Sequence, residues 1–180
     1  MIGALGAIMV AISWFAFGII LVKWRGHNGM SISQHAASAR EAHWVFATTL
    51  IVGGGIFYYW LVVWFTPKLG LPLTFVALLT LAVAAQMIAG AVPDTVNWKR
   101  RVHRITSYAM AVLFVPLTVY ILFAPHISTM ARGIGIGCLS YMVGAFFLIV
   151  LLKRARAHYL IFQALYVVAF QIVILAAAYL

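Results

Sequence analysis

Only two residues of the chain carry a carboxylate, Glu41 and Asp94. An ionised carboxylate only accepts hydrogen bonds, and in a largely apolar chain it needs a cationic or hydrogen-bonding partner. Asp94 follows Pro93, and His103 stands nine residues after Asp94, so the two side chains can meet across a short connection. This pair could form a structural contact, recognise a polar group or exchange a proton, and the sequence leaves all three open.

Histidine is the second residue type that could do chemistry. His43, His103 and His158 each stand close to the start of an apolar stretch, and together with Asp94 they could form a zinc site. A haem held between His43 and His103 is a further possibility, since histidine is a common axial ligand of haem iron. No His-Glu-x-x-His or similar local motif is present, so we assign neither a metal nor a cofactor.

The elements that must position these residues are six uncharged stretches, at 1–22, 44–66, 69–92, 105–125, 133–152 and 159–180. Each is long enough to cross about 30 Å of hydrocarbon as a helix, and only helices satisfy their own backbone at that depth. A transmembrane barrel would need shorter, alternating segments. With 180 residues that are 66% hydrophobic, the chain is predicted to be one all-α domain, a polytopic bundle of six transmembrane helices over 1–180.

Basic residues predict how this bundle is oriented. Of the 12 Lys and Arg residues, the connections between the second and third and between the fourth and fifth stretches hold only Lys68 and Arg132. The remaining basic residues, including Arg25, Lys153 and Arg156, fall in the other three connections. Short loops rich in Lys and Arg stay in the cytoplasm, so we expect both termini to be exterior and the protein to be a multi-pass protein of the plasma (inner) membrane.

Composition also bounds the partners. The formal net charge of +10 comes mainly from the basic loops that set the orientation of the bundle in the membrane. Membrane lipids with anionic headgroups are the expected partners of these loops. Nucleic-acid binding would need basic residues gathered on a soluble face, and no soluble domain is predicted. Cys138 is the only cysteine, so no intramolecular disulfide can form.

Polar side chains are concentrated near the predicted cytoplasmic surface. Gln86 lies in the inner third of the third stretch, Ser31 and Ser33 lie in the first connection, and both carboxylates lie at the inner surface. Polar groups inside a membrane are costly unless they face each other or a wet cavity. We therefore predict a polar cavity open to the cytoplasm and lined by spans two, three, four and six. The alternative is that these groups only form interhelical hydrogen bonds and helix caps.

Local patterns predict details near the helix ends. Ser38-Ala39-Arg40-Glu41 and Ser31-Ile32-Ser33-Gln34 both have the form of a capping box. The box at Ser38 predicts that the second span begins there, and the box at Ser31 predicts a short helix before that span. Aromatic residues near the ends of the spans are expected in interfacial belts: Trp60, Trp64 and Tyr179 at the outer side, and Trp24, Trp44, Trp98 and Tyr159 at the inner side.

Two short motifs resemble a known family. Gly29-Met30-Ser31-Ile32-Ser33, and Gly90-Ala91-Val92-Pro93-Asp94 followed by His103, resemble the domain of unknown function 998 family, six-helix membrane proteins of bacteria and archaea. That family is distantly similar to eukaryotic proteins that include the damage-regulated autophagy modulators and a factor for remodelling lipid-anchored proteins. The resemblance implies a six-helix fold over almost the whole chain but no assigned activity, so it implies no catalytic residue.

Binding or handling of a lipid or small amphiphile at the predicted cavity is therefore the favoured function. An accessory or structural subunit of a membrane complex, which would dock a membrane-protein partner or a second copy, is the alternative. A haem- or metal-binding membrane enzyme is a third hypothesis, and the sequence does not decide whether any reaction is catalysed. The candidate ligand-binding residues are Asp94, His103, Glu41, Ser31, Ser33, His43, His158 and Gln86.

Overall fold

A computed structural model of the chain describes residues 2–24, 26–95, 97–152 and 154–180. Met1, which begins the first predicted span, and Arg25 and Lys153, two of the basic residues that predict the orientation, lie outside the described residues, as does the side chain of Arg156. All regular secondary structure in the described ranges is helical.

Six of the helices are long and apolar enough to cross a membrane, which confirms the predicted all-α polytopic architecture. They are α1 (Leu5–Lys23), α3 (Arg40–Leu69), α4 (Leu73–Ala91), α5 (Asn97–Leu122), α6 (Thr129–Leu151) and α7 (Tyr159–Tyr179), and a short helix, α2 (Ile32–Ala36), precedes α3. One turn of 3-10 helix, Ile2–Ala4, leads into α1, and another, Ala155–His158, leads into α7. Within α3, the segments Thr49–Gly53 and Leu61–Phe65 are π-helical.

Three helices begin earlier than the uncharged stretches that predicted them. Helix α3 starts at Arg40, α5 at Asn97 and α6 at Thr129, before positions 44, 105 and 133. Charge marks the edge of the hydrocarbon region, whereas the backbone helix continues through Lys and Arg, which are good helix formers.

The predicted short helix before the second span is confirmed at α2. Ser31 caps it, because its Oγ accepts a hydrogen bond from the Gln34 amide at 3.1 Å and the Gln34 side chain accepts one from the Ser31 amide at 2.9 Å. The capping box predicted at Ser38 is wrong. Ser38 Oγ donates to the His35 carbonyl at 2.7 Å, and Ala39 precedes α3 without a side-chain cap.

Contacts between the helices place both chain termini at one end of the bundle. The Tyr179 hydroxyl donates to the Gly3 carbonyl, and the Lys68 ammonium donates to the Ala178 carbonyl. At the other end, the Leu160 amide donates to the Asn28 carbonyl at 3.1 Å. This second end carries the three connections that are rich in Lys and Arg, and we call it the basic end.

Aromatic residues fill the core nearer the termini. Trp60 is fully buried and stacks between Phe57 and Trp64, at ring-centroid distances of 5.5 and 5.3 Å. Trp60 is therefore a core residue, and its predicted place in an interfacial belt is wrong. By contrast, Trp44, Trp98 and Tyr179 are exposed on the bundle surface, where interfacial anchors belong.

Candidate functional site

Two cavities lie side by side toward the basic end. The large cavity, of about 580 Å³, is enclosed by α5, α6 and α7, by the start of α2 and by the connection that holds Asp94. The small cavity, of about 120 Å³, extends between α1, α3, α4, α5 and α7. Seven residues line both cavities, the polar Ser33, His103, Ser107 and Gln163 and the apolar Met110, Phe114 and Val167, so the wall that separates the cavities is partly polar and partly apolar. The prediction placed one cavity among spans two, three, four and six. In the structure, spans four and six line both cavities, spans two and three line only the small cavity, and span five lines only the large one.

Asp94 lies at the polar end of the large cavity and is only 7% exposed. Its nearest cationic partner is Arg100, with Nε 3.6 Å from Asp94 Oδ1. That oxygen accepts no hydrogen bond within the described ranges. The Arg100 side chain is 45% exposed, so it approaches Asp94 from the solvent side. A buried carboxylate without a close hydrogen-bond donor is costly, so this oxygen is a candidate for contact with a ligand.

His103 is buried beside Asp94 on the wall of both cavities. Its Nδ1 lies 2.9 Å from the Val92 carbonyl oxygen. A carbonyl oxygen only accepts, so Nδ1 carries a proton, and in the neutral ring Nε2 is left as the acceptor. This bond ties the start of α5 to the end of α4. In the described part of the chain, no hydrogen bond or ion pair joins His103 to Asp94.

Ser31 and Ser33 bring the start of α2 to the same cavity. Both side chains are buried, and their hydroxyl oxygens are 2.8 Å apart. Gln163 of α7 holds this segment in place, because its Oε1 accepts a hydrogen bond from the Ile32 amide at 3.1 Å. The segment therefore lines the large cavity while the amides of Ser31, Ile32 and Gln34 are hydrogen-bonded.

One face of α5 supplies further cavity residues that are not among the eight candidate ligand-binding residues. Arg104, Ser107, Tyr108 and Ala111 follow at helical spacing and line the large cavity. Positions three and four apart share a helix face, and this periodicity was the available signal. We counted Arg104 only toward orientation, because charge at a helix end predicts topology as readily as it predicts a site.

Deeper in the bundle, the large cavity becomes apolar. Phe114 and Phe170 stack with a centroid distance of 3.9 Å, and the Tyr166 hydroxyl donates to the Ala111 carbonyl at 2.7 Å. These contacts join α5 to α7 beneath the polar groups. Phe146 of α6 and Phe162 of α7 complete the apolar lining, so the cavity has a polar mouth and an aromatic interior.

Gln86 lines the small cavity and not the large one. Its Nε2 donates to the Leu50 carbonyl at 3.1 Å, within the π-helical turn of α3. The close approach also requires Gly54, since an added Cβ there would lie 2.3 Å from Gln86 Nε2. Gln86 is thus used in joining α4 to α3, as the structural alternative expected.

Three predicted site residues lie outside both cavities. Glu41 is exposed on the first turn of α3, and His158 is exposed before α7. His43 is partly buried, but it lines neither cavity. A ligand-binding role for these three residues stays a prediction without a cavity to support it.

Within the described ranges, no three His, Cys, Asp or Glu side chains come close enough to hold a metal ion, so the structure does not assemble the zinc site that the sequence left possible. Haem ligation by His43 and His103 stays a prediction. His103 already uses Nδ1 on the Val92 carbonyl, so only Nε2 is left for any ligand.

Comparison of the chain with protein-family models, with curated proteins and with solved structures finds no match in any of the three. The resemblance to the domain of unknown function 998 family stays a prediction. The functional argument therefore rests on the geometry of the two cavities.

Proposed function

We propose that this multi-pass membrane protein binds a membrane lipid or another small amphiphile in the large cavity. The observation that carries the proposal is the cavity itself, about 580 Å³ in volume and polar at one end only. Sites for small ligands typically measure about 300–1,000 Å³ and combine apolar walls with a few polar groups. An amphiphile matches that division, with its headgroup at the basic end and its chain among the aromatic residues.

The position of the cavity supports entry from the lipid phase. Tyr108 of α5 and Phe146 of α6 line the cavity, yet both are also exposed on the outside of the bundle, at 53% and 36%. Near the other end, α5 and α6 pack closely, because Gly135 lies against Leu122. We infer that α5 and α6 diverge toward the basic end, so that a lipid could enter between them without leaving the bilayer.

Filling the cavity tests this proposal. Ala111→Trp places an indole in the cavity, whereas Val112→Trp, one residue further along α5, places the same group on the outer surface, where Val112 is 53% exposed. We expect Ala111→Trp to lower the amount of lipid that co-purifies with the protein by about tenfold, if the blocked contacts are worth about 1.4 kcal/mol. Val112→Trp should leave it unchanged. Equal lipid content in both folded variants, by mass spectrometry, would remove the proposal.

The accessory-subunit alternative has one structural feature in its favour. Gly133, Gly137 and Gly144 of α6 face open space, where an added Cβ would meet nothing within 4 Å. Small residues let membrane helices approach closely, but nothing in the structure indicates what covers this face. We therefore keep lipid binding as the proposed function. Placement in the plasma membrane, with the basic end in the cytoplasm, belongs to the same proposal.

A further inference from the structure

Asp94 lines the large cavity, and its carboxylate is not fully hydrogen-bonded by the described residues. Its Oδ1 is buried and accepts no hydrogen bond from the described residues. The distance of 3.6 Å to Arg100 Nε exceeds the roughly 2.7–2.9 Å of a charge-assisted hydrogen bond. Arg100 therefore offsets part of the charge without satisfying the oxygen. What this site lacks is a donor, and a cationic N–H group would be the strongest one.

Arg104 offers the same cavity a positively charged hydrogen-bond donor, which could bind an anionic group of a ligand. Arg104 is an exposed residue that lines the large cavity, and its side chain makes no ion pair or hydrogen bond within the described ranges. Asp94, Arg104 and Tyr159 all line this cavity, so both charged residues border the same space. Guanidinium groups bind phosphate oxygens through paired N–H donors.

We propose that the ligand is a phospholipid with a primary ammonium group on its phosphodiester, that is, a headgroup of the phosphoethanolamine type. The ammonium group donates to Asp94, and the phosphate accepts from Arg104. This inference rests on the proposed function and narrows it from lipids in general to one headgroup chemistry.

The other common headgroups fit this pair of charges less well. A choline group has no N–H to donate, and quaternary ammonium groups are usually held by aromatic cages. A glycerol headgroup offers hydroxyl donors but no positive charge for Asp94. A serine headgroup has the ammonium group but adds a second carboxylate, which Asp94 would repel.

Binding of a headgroup series to the wild-type protein tests the inference without any mutation. Purified protein is titrated, with native mass spectrometry as the readout, with lipids that share the same short acyl chains and carry phosphoethanolamine, its mono- and dimethyl derivatives, phosphocholine or phosphoglycerol. We expect phosphoethanolamine to bind about tenfold more tightly than phosphocholine, the difference expected for one charge-assisted hydrogen bond. The step that removes the last N–H should cost the most. Equal affinity for phosphoethanolamine and phosphocholine would overturn the inference.

Two variants assign the headgroup contacts. Asp94→Asn keeps the shape of the side chain and should abolish the preference for phosphoethanolamine over phosphocholine. Arg104→Gln should weaken all the phospholipids by a similar factor. Arg101→Gln is the matched control, because Arg101 is exposed on the same helix turn and lines neither cavity, and it should change nothing. If Asp94→Asn folds and retains the wild-type preference, Asp94 is not the acceptor and the inference fails.

The two proposals fail in different ways. If lipids bind in the large cavity, and Ala111→Trp blocks them, but headgroups are not distinguished, the proposed function stands and the headgroup inference is wrong. If no lipid binding depends on Ala111, both are wrong. If Asp94→Asn does not fold, the headgroup series with the wild-type protein still decides the inference.

Discussion

Ser31 connects local chain structure to the candidate site. Its hydroxyl oxygen accepts a hydrogen bond from the Gln34 amide, and this bond caps the start of α2. The same oxygen lies 2.8 Å from the Ser33 hydroxyl on the cavity wall. Because α2 is a helix of only 5 residues, its cap is a large part of what holds it together. The same side chain therefore helps to fold the segment that lines the cavity.

Ser31→Ala should loosen this segment. Loss of an N-cap costs about 1 kcal/mol, so we expect faster amide hydrogen exchange in α2 with little change in the long helices. Ser140→Ala is the matched control, because Ser140 only donates to the Ile136 carbonyl on the exposed side of α6. Exchange in α2 that is equally slow in Ser31→Ala and the wild type would contradict the capping role.

At the scale of residues, sequence reasoning found part of the site. Asp94, His103, Ser31 and Ser33 were predicted from polarity and depth, and all four line the large cavity. Arg104 was not, because a Lys/Arg cluster at a helix end has a sufficient explanation in topology. The aromatic lining could not be predicted either, since apolar residues inside an apolar span carry no signal of what they face.

At the scale of helices, glycine positions separate close packing from open surface. On α1, Gly6 lies against the ring of Trp60, where an added Cβ would be 2.5 Å from the nearest ring carbon. Trp60 is fully buried between aromatic neighbours and cannot move aside cheaply. Gly18 of the same helix has no neighbour within 4 Å of an added Cβ.

This contrast predicts opposite effects of one substitution. Gly6→Ala should destabilise the protein by about 1–3 kcal/mol, the usual cost of overpacking a core. Gly18→Ala should leave stability unchanged or slightly increased, because alanine favours the helix. Unfolding by SDS titration in mixed micelles measures both. A similar stability for the two variants would mean that α1 does not pack on α3 as described.

The number and type of helices were predictable, but their exact packing was not. Six uncharged stretches gave the six spans, and the Ser31 box gave α2. The Ser38 box was wrong because the Ser38 hydroxyl turns back to His35, a local competition that sequence cannot resolve. The fully buried Trp60 shows the same limit, since a tryptophan near a span end fits both an interface and a core.

At the scale of the whole molecule, the orientation of the bundle is a separate prediction. In a background with Cys138→Ala, which removes the only native thiol, Leu180→Cys and Trp98→Cys place thiols at exposed positions on opposite ends. If the basic end is cytoplasmic, a membrane-impermeant maleimide should label Leu180→Cys in intact cells, and Trp98→Cys only after permeabilisation. The reverse pattern would put the cavity mouth on the exterior side.

The most direct test of the central claim is photo-crosslinking of the purified protein with a phospholipid that carries a diazirine in its acyl chain. If the large cavity binds lipid, the label should map to Tyr108–Phe114 of α5 and to Phe146 of α6, and excess unlabelled lipid should compete it away. Label found instead only on outward-facing side chains such as Phe15 and Leu81, which are 72% and 58% exposed, and not reduced by competitor, would contradict the account.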